Sequence, residues 1–366
     1  MTQSWNPPPG PQWPSQPAWN APAGWAAPPP PSPPPGAVPP PPNGYRPSAP
    51  TVGAYPPPPR PPAKKSPLLA ILGGGAFVLI VMFFGVALLN YLNAGTGGPG
   101  SEPSYHQVTN VPEPDFNPPP IPKPQTEADL VNWTKSNAIY AHAVPVPTNC
   151  KVPYLDASRA DVPALNEHLS QLTACLWGVW EVPMTEAGFQ IPRPPVTVYT
   201  TEITSPCGKL PLHNAFYCSA DQHVYYAQNV YEIIDPALRS KPFLPEFILA
   251  HEFGHAIQAR SGIFYASAVL EHYADKTLAN EYSRRSETQA DCFSGLFLNA
   301  IASASGLTDD DRTNVILVAR SLGSPKPDPE DDHGTSAARI AWTTAGLGNS
   351  QIGQCNTFAA GSDQVR

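Results

Sequence analysis

The stretch PEFILAHEFGHAIQAR, residues 245–260, is the most informative part of this chain. Its apolar residues recur at helical spacing and its proline is tolerated in a first turn, so it predicts an α-helix. Residues four apart stack on one face of a helix, which places His251 and His255 side by side. Two imidazoles so placed can bind one Zn²⁺ ion, and Glu252 next to them is the general base of the H-E-x-x-H pattern.

A third ligand is expected on a second predicted helix, residues 280–302. A catalytic zinc takes three protein ligands and leaves its fourth position open. Glu287 and Asp291 are four apart and therefore share a helix face. We expect Glu287 to bind the metal and Asp291 to accept the second N–H of a ligand histidine. A histidine ligand at position 261 is excluded, because that residue is Ser261.

The metal site has an alternative, which is a satisfied polar core without an ion. The H-E-x-x-H spacing also arises by chance, so the motif alone is a weak signal. Here it lies on an amphipathic helix, a second helix carries a carboxylate pair at the matching spacing, and the chain is predicted to cross a membrane. These three observations favour the metal.

The N-terminal segment, residues 1–66, differs sharply in composition from the rest. It holds 26 of the 52 prolines, and no Asp or Glu precedes Glu102. Such a segment cannot bury a core, so we expect a disordered, cytoplasmic arm with polyproline II character. Its tryptophans at positions 5, 13, 19 and 25 indicate either a binding segment for a partner of this arm or a spacer.

A membrane span is predicted next, within residues 67–92. Leu68–Leu89 has 22 residues without a charge, about 33 Å as a helix, enough to cross a bilayer core. Lys64 and Lys65 precede it and no basic residue follows before Lys123, so the N-terminus is predicted in the cytoplasm and the C-terminal domain outside. The long preceding segment and the lack of an A-x-A site favour an uncleaved signal anchor over a cleaved signal peptide. Residues 93–125 read as a linker.

The remaining residues, 126–366, are enough for one sizeable domain. Thr126 with Asp129 resembles a capping box, and Asp161 precedes a second helical pattern. Residues 195–201 and 222–227 are rich in β-branched and aromatic residues and predict strands. The fold class is therefore α+β, a small sheet packed with metal-binding helices. The strand 222–227 either pairs with an extended peptide or lies inside the sheet.

All six cysteines follow the predicted span, and an even number outside the cytoplasm favours disulfides. Cys207 and Cys218 flank a short loop and form the best local pair. The remaining pairs would then be Cys150–Cys175 and Cys292–Cys355. A second zinc site made of cysteines is disfavoured, because no C-x-x-C spacing occurs.

Charge and missing motifs exclude several classes of function. After the span, 17 Lys and Arg stand against 29 Asp and Glu, which argues against a nucleic-acid partner. The sequence contains no P-loop, dinucleotide-binding fingerprint, G-x-S-x-G or EF-hand loop.

Four pieces of the domain resemble a bacterial family described as neutral zinc metallopeptidases. They are FYCSADQHVYY at 216–226, ILAHEFGHAIQ at 248–258, ETQADCFSG at 287–295 and DHGTSAAR at 332–339. The similarity covers roughly residues 126–355 and implies a zincin-like fold with a thermolysin-like site. It implies His251, His255 and Glu287 as zinc ligands and Glu252 as catalytic acid and base. One departure is Ala256, where many relatives carry a second histidine.

The function expected from these observations is a membrane-anchored zinc metallopeptidase. It would hydrolyse a peptide or protein substrate outside the cytoplasmic membrane, with a zinc-activated water and Glu252 as general base. His333 is the first candidate to stabilise the oxyanion, with Tyr265, His272 and Tyr273 as rivals. A plain surface-loop position is the other interpretation of His333.

Two other functions compete with this one. A membrane-anchored scaffold would keep a structural zinc and recruit partners through its Pro-rich arm. The presence of Glu252 argues against it, because a structural site needs no general base and uses four protein ligands. Another zinc hydrolase is the remaining possibility.

Overall fold

A computed structural model describes residues 104–328 and 330–366 of the chain. The Pro-rich segment 1–66, the predicted span 67–92 and the first part of the predicted linker lie outside the described residues. Within the described ranges, no helix combines the length and the apolar character that a membrane crossing needs.

The described part of the chain is a mixed α and β structure, in which helices dominate. The α-helices are α1 Glu127–Lys135, α2 Val162–Glu186, α3 Leu244–Arg260, α4 Ile263–Tyr273, α5 Lys276–Ser305, α6 Asp309–Leu322 and α7 Ser336–Leu347. The strands are β1 Tyr105–His106, β2 Val146–Pro147, β3 Val196–Tyr199, β4 Ile203–Ser205, β5 Gly208–Leu210, β6 Ala215–Cys218 and β7 His223–Ala227. The α+β class expected from the sequence agrees with this.

The helix starts follow the local chemistry of the sequence. Thr126 and Asp129 form a reciprocal capping box at α1. Asp161 accepts a hydrogen bond from the Ala164 N–H and caps α2. The second metal helix begins earlier than predicted, at Lys276, because the side chain of Asp275 caps it there.

The central sheet has three strands in the order β3, β7, β6. β7 pairs in parallel with β3 and antiparallel with β6. Strand β7, residues His223–Ala227, thus has a neighbour on each side, which agrees with one of the two predictions for it, a position inside the sheet, and rules out the other, pairing with a peptide. The edge next to the helices belongs instead to β6, which contacts α3.

Helix α3 lies at the centre of the domain, and all of its residues are buried. It packs against α2, α4, α5 and β6. Phe247, Phe253 and Ile257 are fully buried in the main hydrophobic core. Because apolar neighbours surround the helix, its polar residues are held in a rigid, mostly dry environment.

Residues 104–125 differ from the linker that the sequence predicts. β1 pairs with β2, and the side chain of Asn149 bonds to both backbone groups of Val108. Further along, the carbonyl of Pro119 accepts hydrogen bonds from Gln222 and Arg260. A proline-rich segment has few backbone donors of its own, but its carbonyls still accept, and buried side chains of the domain use them.

Three disulfides use all six cysteines: Cys150–Cys175, Cys207–Cys218 and Cys292–Cys355. These are the three pairs that the sequence favours. Cys207–Cys218 joins β6 to the turn before β5, and Cys292–Cys355 joins α5 to the C-terminal part of the chain.

Candidate metal centre

Three side chains from two helices converge where α3 crosses α5. His251 and His255 lie on α3, one turn apart, and Glu287 lies on α5. The Nε2 atom of His251 is 3.4 Å from one carboxylate oxygen of Glu287, and the Nε2 atom of His255 is 3.4 Å from the other. The three side chains are 11–13% exposed, so the point between them is open to solvent on one side.

Both imidazoles are oriented by a second side chain. Nδ1 of His251 donates to Asp291 Oδ1 at 2.9 Å, and Nδ1 of His255 donates to Gln258 Oε1 at 2.9 Å. The amide of Gln258 is fixed in turn, because it donates to the backbone carbonyl of Ser286. With each Nδ1 engaged, each Nε2 carries the lone pair that a metal needs.

Asp291 is held on its other side by Arg339 from α7. Two nitrogens of the guanidinium each lie 2.8 Å from a carboxylate oxygen of Asp291, and both side chains are buried. Such paired contacts fix the plane of the carboxylate as well as its position. A chain of contacts therefore runs from α7 through Asp291 to His251.

The spacing of the donors suits a tetrahedral zinc ion. Zinc–nitrogen and zinc–oxygen bonds of about 2.0–2.1 Å in a tetrahedron place neighbouring ligand atoms about 3.3–3.4 Å apart. The two nitrogen–oxygen separations here are 3.4 Å, each to a different oxygen of Glu287, and one donor atom from each of the three residues lies within 4.8 Å of the others, close enough for one ion to reach all three. Two neutral imidazoles and one carboxylate are also a donor set that zinc accepts, and three protein ligands leave one position free.

The net negative charge around the centre also favours binding of a cation. Glu252, Glu287 and Asp291 are three carboxylates, and Arg339 is the guanidinium that pairs with one of them. With neutral imidazoles, this buried cluster has an excess of two negative charges. Buried charges are paired or bind metals, and a divalent cation would balance this excess.

The excess of negative charge also shifts the pKa values of His251 and Glu287. Burial opposes protonation of His251, yet its hydrogen-bonded neighbours Asp291 and Glu287 raise its pKa to about 10. Burial also opposes ionisation of Glu287, but hydrogen bonds from both histidines keep its pKa well below the usual range. The ligand positions therefore favour a positive charge between ionised carboxylates.

Glu252 lies beside the three converging groups but is not one of them. Its Oε2 atom accepts a hydrogen bond of 2.9 Å from the backbone N–H of Tyr217 in strand β6. Burial raises the pKa of Glu252, while the two histidines lower it. A carboxylate whose pKa is raised and whose orientation is fixed is suited to accept a proton.

The structure describes the surroundings of His333 and of its rivals for the oxyanion role. His333 is half-exposed, and its Nδ1 atom is 2.6 Å from Asp332. The hydrogen bond to Asp332 raises the pKa of His333, and the charge of Glu287 adds to the rise. Of the rivals on α4, Tyr273 is 75% exposed and Tyr265 lies under the ammonium of Lys123.

Sequence reasoning missed three groups that hold residues of this centre. They are the N–H of Tyr217 and the side chains of Gln258 and Arg339. The sequence did contain a signal for two of them. Arg339 is the last residue of the DHGTSAAR piece that resembles the family. Gln258 is three residues after His255 on the same helix, a spacing at which side chains are neighbours.

Helices α3 and α5, which carry the candidate metal ligands, lie within a region that matches a known protein family. The family described as "putative neutral zinc metallopeptidase" matches residues 156–358, more than half of the chain. The uncharacterized protein YpfJ of Escherichia coli (strain K12) is 27% identical over 200 residues, which cover 52% of this chain and 70% of the relative.

A mycobacterial protein shows similar likeness. The uncharacterized protein Rv2575 of Mycobacterium tuberculosis (strain ATCC 25618 / H37Rv) is 25% identical over 191 residues, which cover 46% of this chain and 63% of the relative. No solved structure matches the chain.

Proposed function

Because this chain belongs to the neutral zinc metallopeptidase family, we propose that it hydrolyses peptide bonds with one zinc ion held by His251, His255 and Glu287. One observation carries the proposal: donor atoms of three side chains converge to within 4.8 Å of one another, and Glu252 lies beside them without joining them. When bound, zinc would polarise the scissile carbonyl and lower the pKa of water.

In this mechanism Glu252 is the general base and later the acid. One of its oxygens is engaged by the Tyr217 N–H, which leaves the other to accept the proton and pass it to the leaving amine. Because the backbone N–H of Tyr217 in β6 holds the Glu252 carboxylate, the position of this carboxylate does not depend on another flexible side chain. Asp291 and Gln258 keep the two imidazoles in the tautomer that presents Nε2.

The edge of β6 is suited to bind the substrate. The Tyr217 N–H points away from β7, and residues alternate along an antiparallel strand, so the backbone groups of Ala215 face the same way. An extended peptide adding to this edge would run along Glu252. His333, near Glu287, is the group that we assign to the oxyanion, since a developing negative charge needs a donor there.

A scaffold with a structural zinc is the second candidate function, and the donor set argues against it. Structural sites are closed by four protein ligands, whereas the group here has three and is partly open to solvent. A structural site also has no use for a buried carboxylate next to its ligands, since burying a charge costs free energy.

We further propose that the domain works outside the cytoplasmic membrane. The charge pattern around Leu68–Leu89 supports a single anchor with the Pro-rich arm in the cytoplasm, where it would meet its own partner. The three disulfides support an oxidising compartment for the domain.

The test compares the parent chain with Glu252→Gln in a digest of denatured proteins and peptide libraries, with and without a chelator. The substitution keeps shape and removes the base, so zinc content stays and hydrolysis falls at least about 100-fold. Glu281→Gln is a matched control, because Glu281 lies on α5 and pairs with Arg285 instead of the metal group; it should retain activity.

Two results would overturn the proposal. Equal, chelator-sensitive hydrolysis by the parent and Glu252→Gln would remove Glu252 from its role. A zinc-loaded parent that cleaves nothing in broad libraries would favour the scaffold.

A further inference from the structure

A small pocket lies at the start of α3, at the end of the helix away from Arg260. It has a volume of about 200 Å³, and its walls include Tyr154, Phe243, Glu246 and Asp311. Glu246 is in the first turn of α3, while the metal-binding histidines follow one and two turns later. None of the groups assigned to the metal centre lines this pocket.

Glu246 is the unusual residue of the pocket. Its side chain is 3% exposed, and its Oε1 atom is 2.9 Å from Nε2 of His168 on α2. Its Oε2 atom is buried and has no hydrogen-bond partner among the described residues. A buried carboxylate oxygen without a donor costs free energy, so a ligand that donates to this atom would supply the partner that the described residues do not.

Two further polar groups belong to the same wall. The hydroxyl of Ser305, at the end of α5, is also buried without a partner in the described part of the chain. Asp311, in the first turn of α6, contributes a second carboxylate, and its Oδ2 atom caps that helix by accepting from Thr308. Among residues 104–328 and 330–366, no Lys or Arg lines the pocket.

Aromatic and apolar groups form the remaining walls. Tyr154 is 56% exposed, and its ring is held in place because its hydroxyl donates to the carbonyl of Ser240 at 2.7 Å. Pro242 and Phe243, the two residues just before α3, also line the pocket. Aromatic faces attract cations, and the apolar lining suits an aliphatic stem.

We propose that this pocket binds an aliphatic ammonium group, with Glu246 as its counter-ion and Ser305 and Asp311 as further acceptors. An ammonium has three N–H donors and no acceptor, which matches the unpartnered oxygens of Glu246 and Ser305 and the carboxylate of Asp311. The volume is below the roughly 300–1,000 Å³ of pockets for drug-sized ligands, so a side chain or a small amine fits better than a large cofactor.

A metal ion suits the pocket less well. Calcium takes six to eight oxygen ligands, and the His168 nitrogen already occupies one oxygen of Glu246. Within the described residues, the groups with metal-ligand spacing lie at His251 and at Asp331, not here. The ammonium has two possible sources, the lysine side chain of a peptide and a free amine.

The experiment is equilibrium dialysis of the full chain against three probes. They are Nα-acetyl-lysine amide, 1,5-diaminopentane and the neutral analogue Nα-acetyl-norleucine amide. We expect the two ammonium probes to bind and the neutral one not to bind. The tighter of the two binders identifies the source, as a peptide side chain or a free amine.

Variants locate the binding in the chain. Glu246→Gln keeps the shape and removes the charge, so the Kd for the ammonium probes should rise at least tenfold. Asp311→Asn gives a second measurement that leaves the His168 contact intact, and it should raise the Kd several-fold. The control is Glu167→Gln, an exposed carboxylate next to His168 in sequence, which should change nothing.

Three results would overturn the proposal. They are equal binding of the norleucine amide, unchanged binding by both Glu246→Gln and Asp311→Asn, and no binding of either ammonium probe up to about 10 mM. Chelator treatment should leave ammonium binding intact, so this result is independent of whether the metal centre hydrolyses peptides.

Discussion

Both predicted histidine ligands of the metal are held in place by other side chains. Asp291 and Arg339 fix His251, and Gln258 fixes His255. Positions held this way stay in place without the ion, which reduces the ordering that binding must impose. At the scale of single residues, the centre is therefore preorganised by contacts that the H-E-x-x-H motif does not contain.

Removing the carboxylate ligand should remove the metal. We expect elemental analysis of the parent to find about one zinc per chain and Glu287→Ala to lose most of it, since two histidines alone leave the site incomplete. Glu281→Ala, on the same helix, is the control and should keep its zinc. Full zinc content in Glu287→Ala would point to another carboxylate, such as Asp291 or Glu271.

Arg339→Met should weaken zinc binding about 10- to 100-fold, as changes behind a metal ligand generally do. It should also destabilise the fold by about 3–5 kcal/mol, because Asp291 is left buried and uncompensated. Chelator competition measures the first effect and urea unfolding the second.

The double variant Asp291→Asn with Arg339→Met separates the two effects. It removes both charges, so stability should partly return while zinc affinity stays low. Parent-like zinc affinity in the single variant would show that the guanidinium does not position the site.

At the scale of elements, the close approach of α5 and α7 brings Arg339 to Asp291. Gly295 on α5 and Gly346 on α7 meet at the crossing, where a Cβ on Gly346 would lie 2.1 Å from the Cys292 carbonyl oxygen. The helices therefore contact through their backbones. A larger residue would push α7 outward and take the guanidinium with it.

Gly346→Ala should accordingly cost about 1–3 kcal/mol or more in unfolding free energy, because the contacting atoms are backbone and cannot move aside. Zinc affinity should fall with it. Gly348→Ala is the matched control: its nearest contact is 3.5 Å away, so its effect should stay within about 0.5 kcal/mol. Similar stability for both variants would exclude tight packing at this crossing.

At the scale of the whole molecule, disulfides tie distant parts of the chain to the site. Cys292 directly follows Asp291 and connects to Cys355 across 63 residues. Cys218 directly follows Tyr217, whose N–H holds Glu252, and connects to Cys207 across 11 residues. Each bond lowers the conformational entropy of the unfolded chain, and this loss grows with the logarithm of the number of residues in the loop that the bond closes.

Removing these bonds should therefore have unequal effects. On the loop-closure relation, the Cys292→Ala, Cys355→Ala double variant should lose about 4 kcal/mol and the Cys207→Ala, Cys218→Ala double variant about 3 kcal/mol. Urea unfolding measures both. The second variant should also lose hydrolysis at unchanged zinc content, because β6 positions Glu252. The opposite stability order would contradict the loop-closure account.

The proposed orientation in the membrane can be tested on intact spheroplasts. Protease added to spheroplasts should remove the C-terminal domain and spare a tag at the N-terminus, because Lys64 and Lys65 precede the predicted span. Protection of the domain together with loss of the tag would reverse the orientation.

The sequence by itself determined the features that depend on local spacing. Helix periodicity put His251 and His255 on one face, and Glu287 and Asp291 on another, because the helix repeat is a property of the backbone. Side-chain caps at Thr126 and Asp161 predicted two helix starts for the same reason, since a cap bonds within four residues.

Only the tertiary structure decided which groups meet across the chain. The pairing of Asp291 with Arg339 spans 48 residues and that of Tyr217 with Glu252 spans 35, and neither has a local pattern that specifies it. The order of the strands likewise made β6, not β7, the edge beside the metal helix. Such contacts depend on how whole elements pack, and packing is set by the summed burial of many side chains rather than by any short stretch.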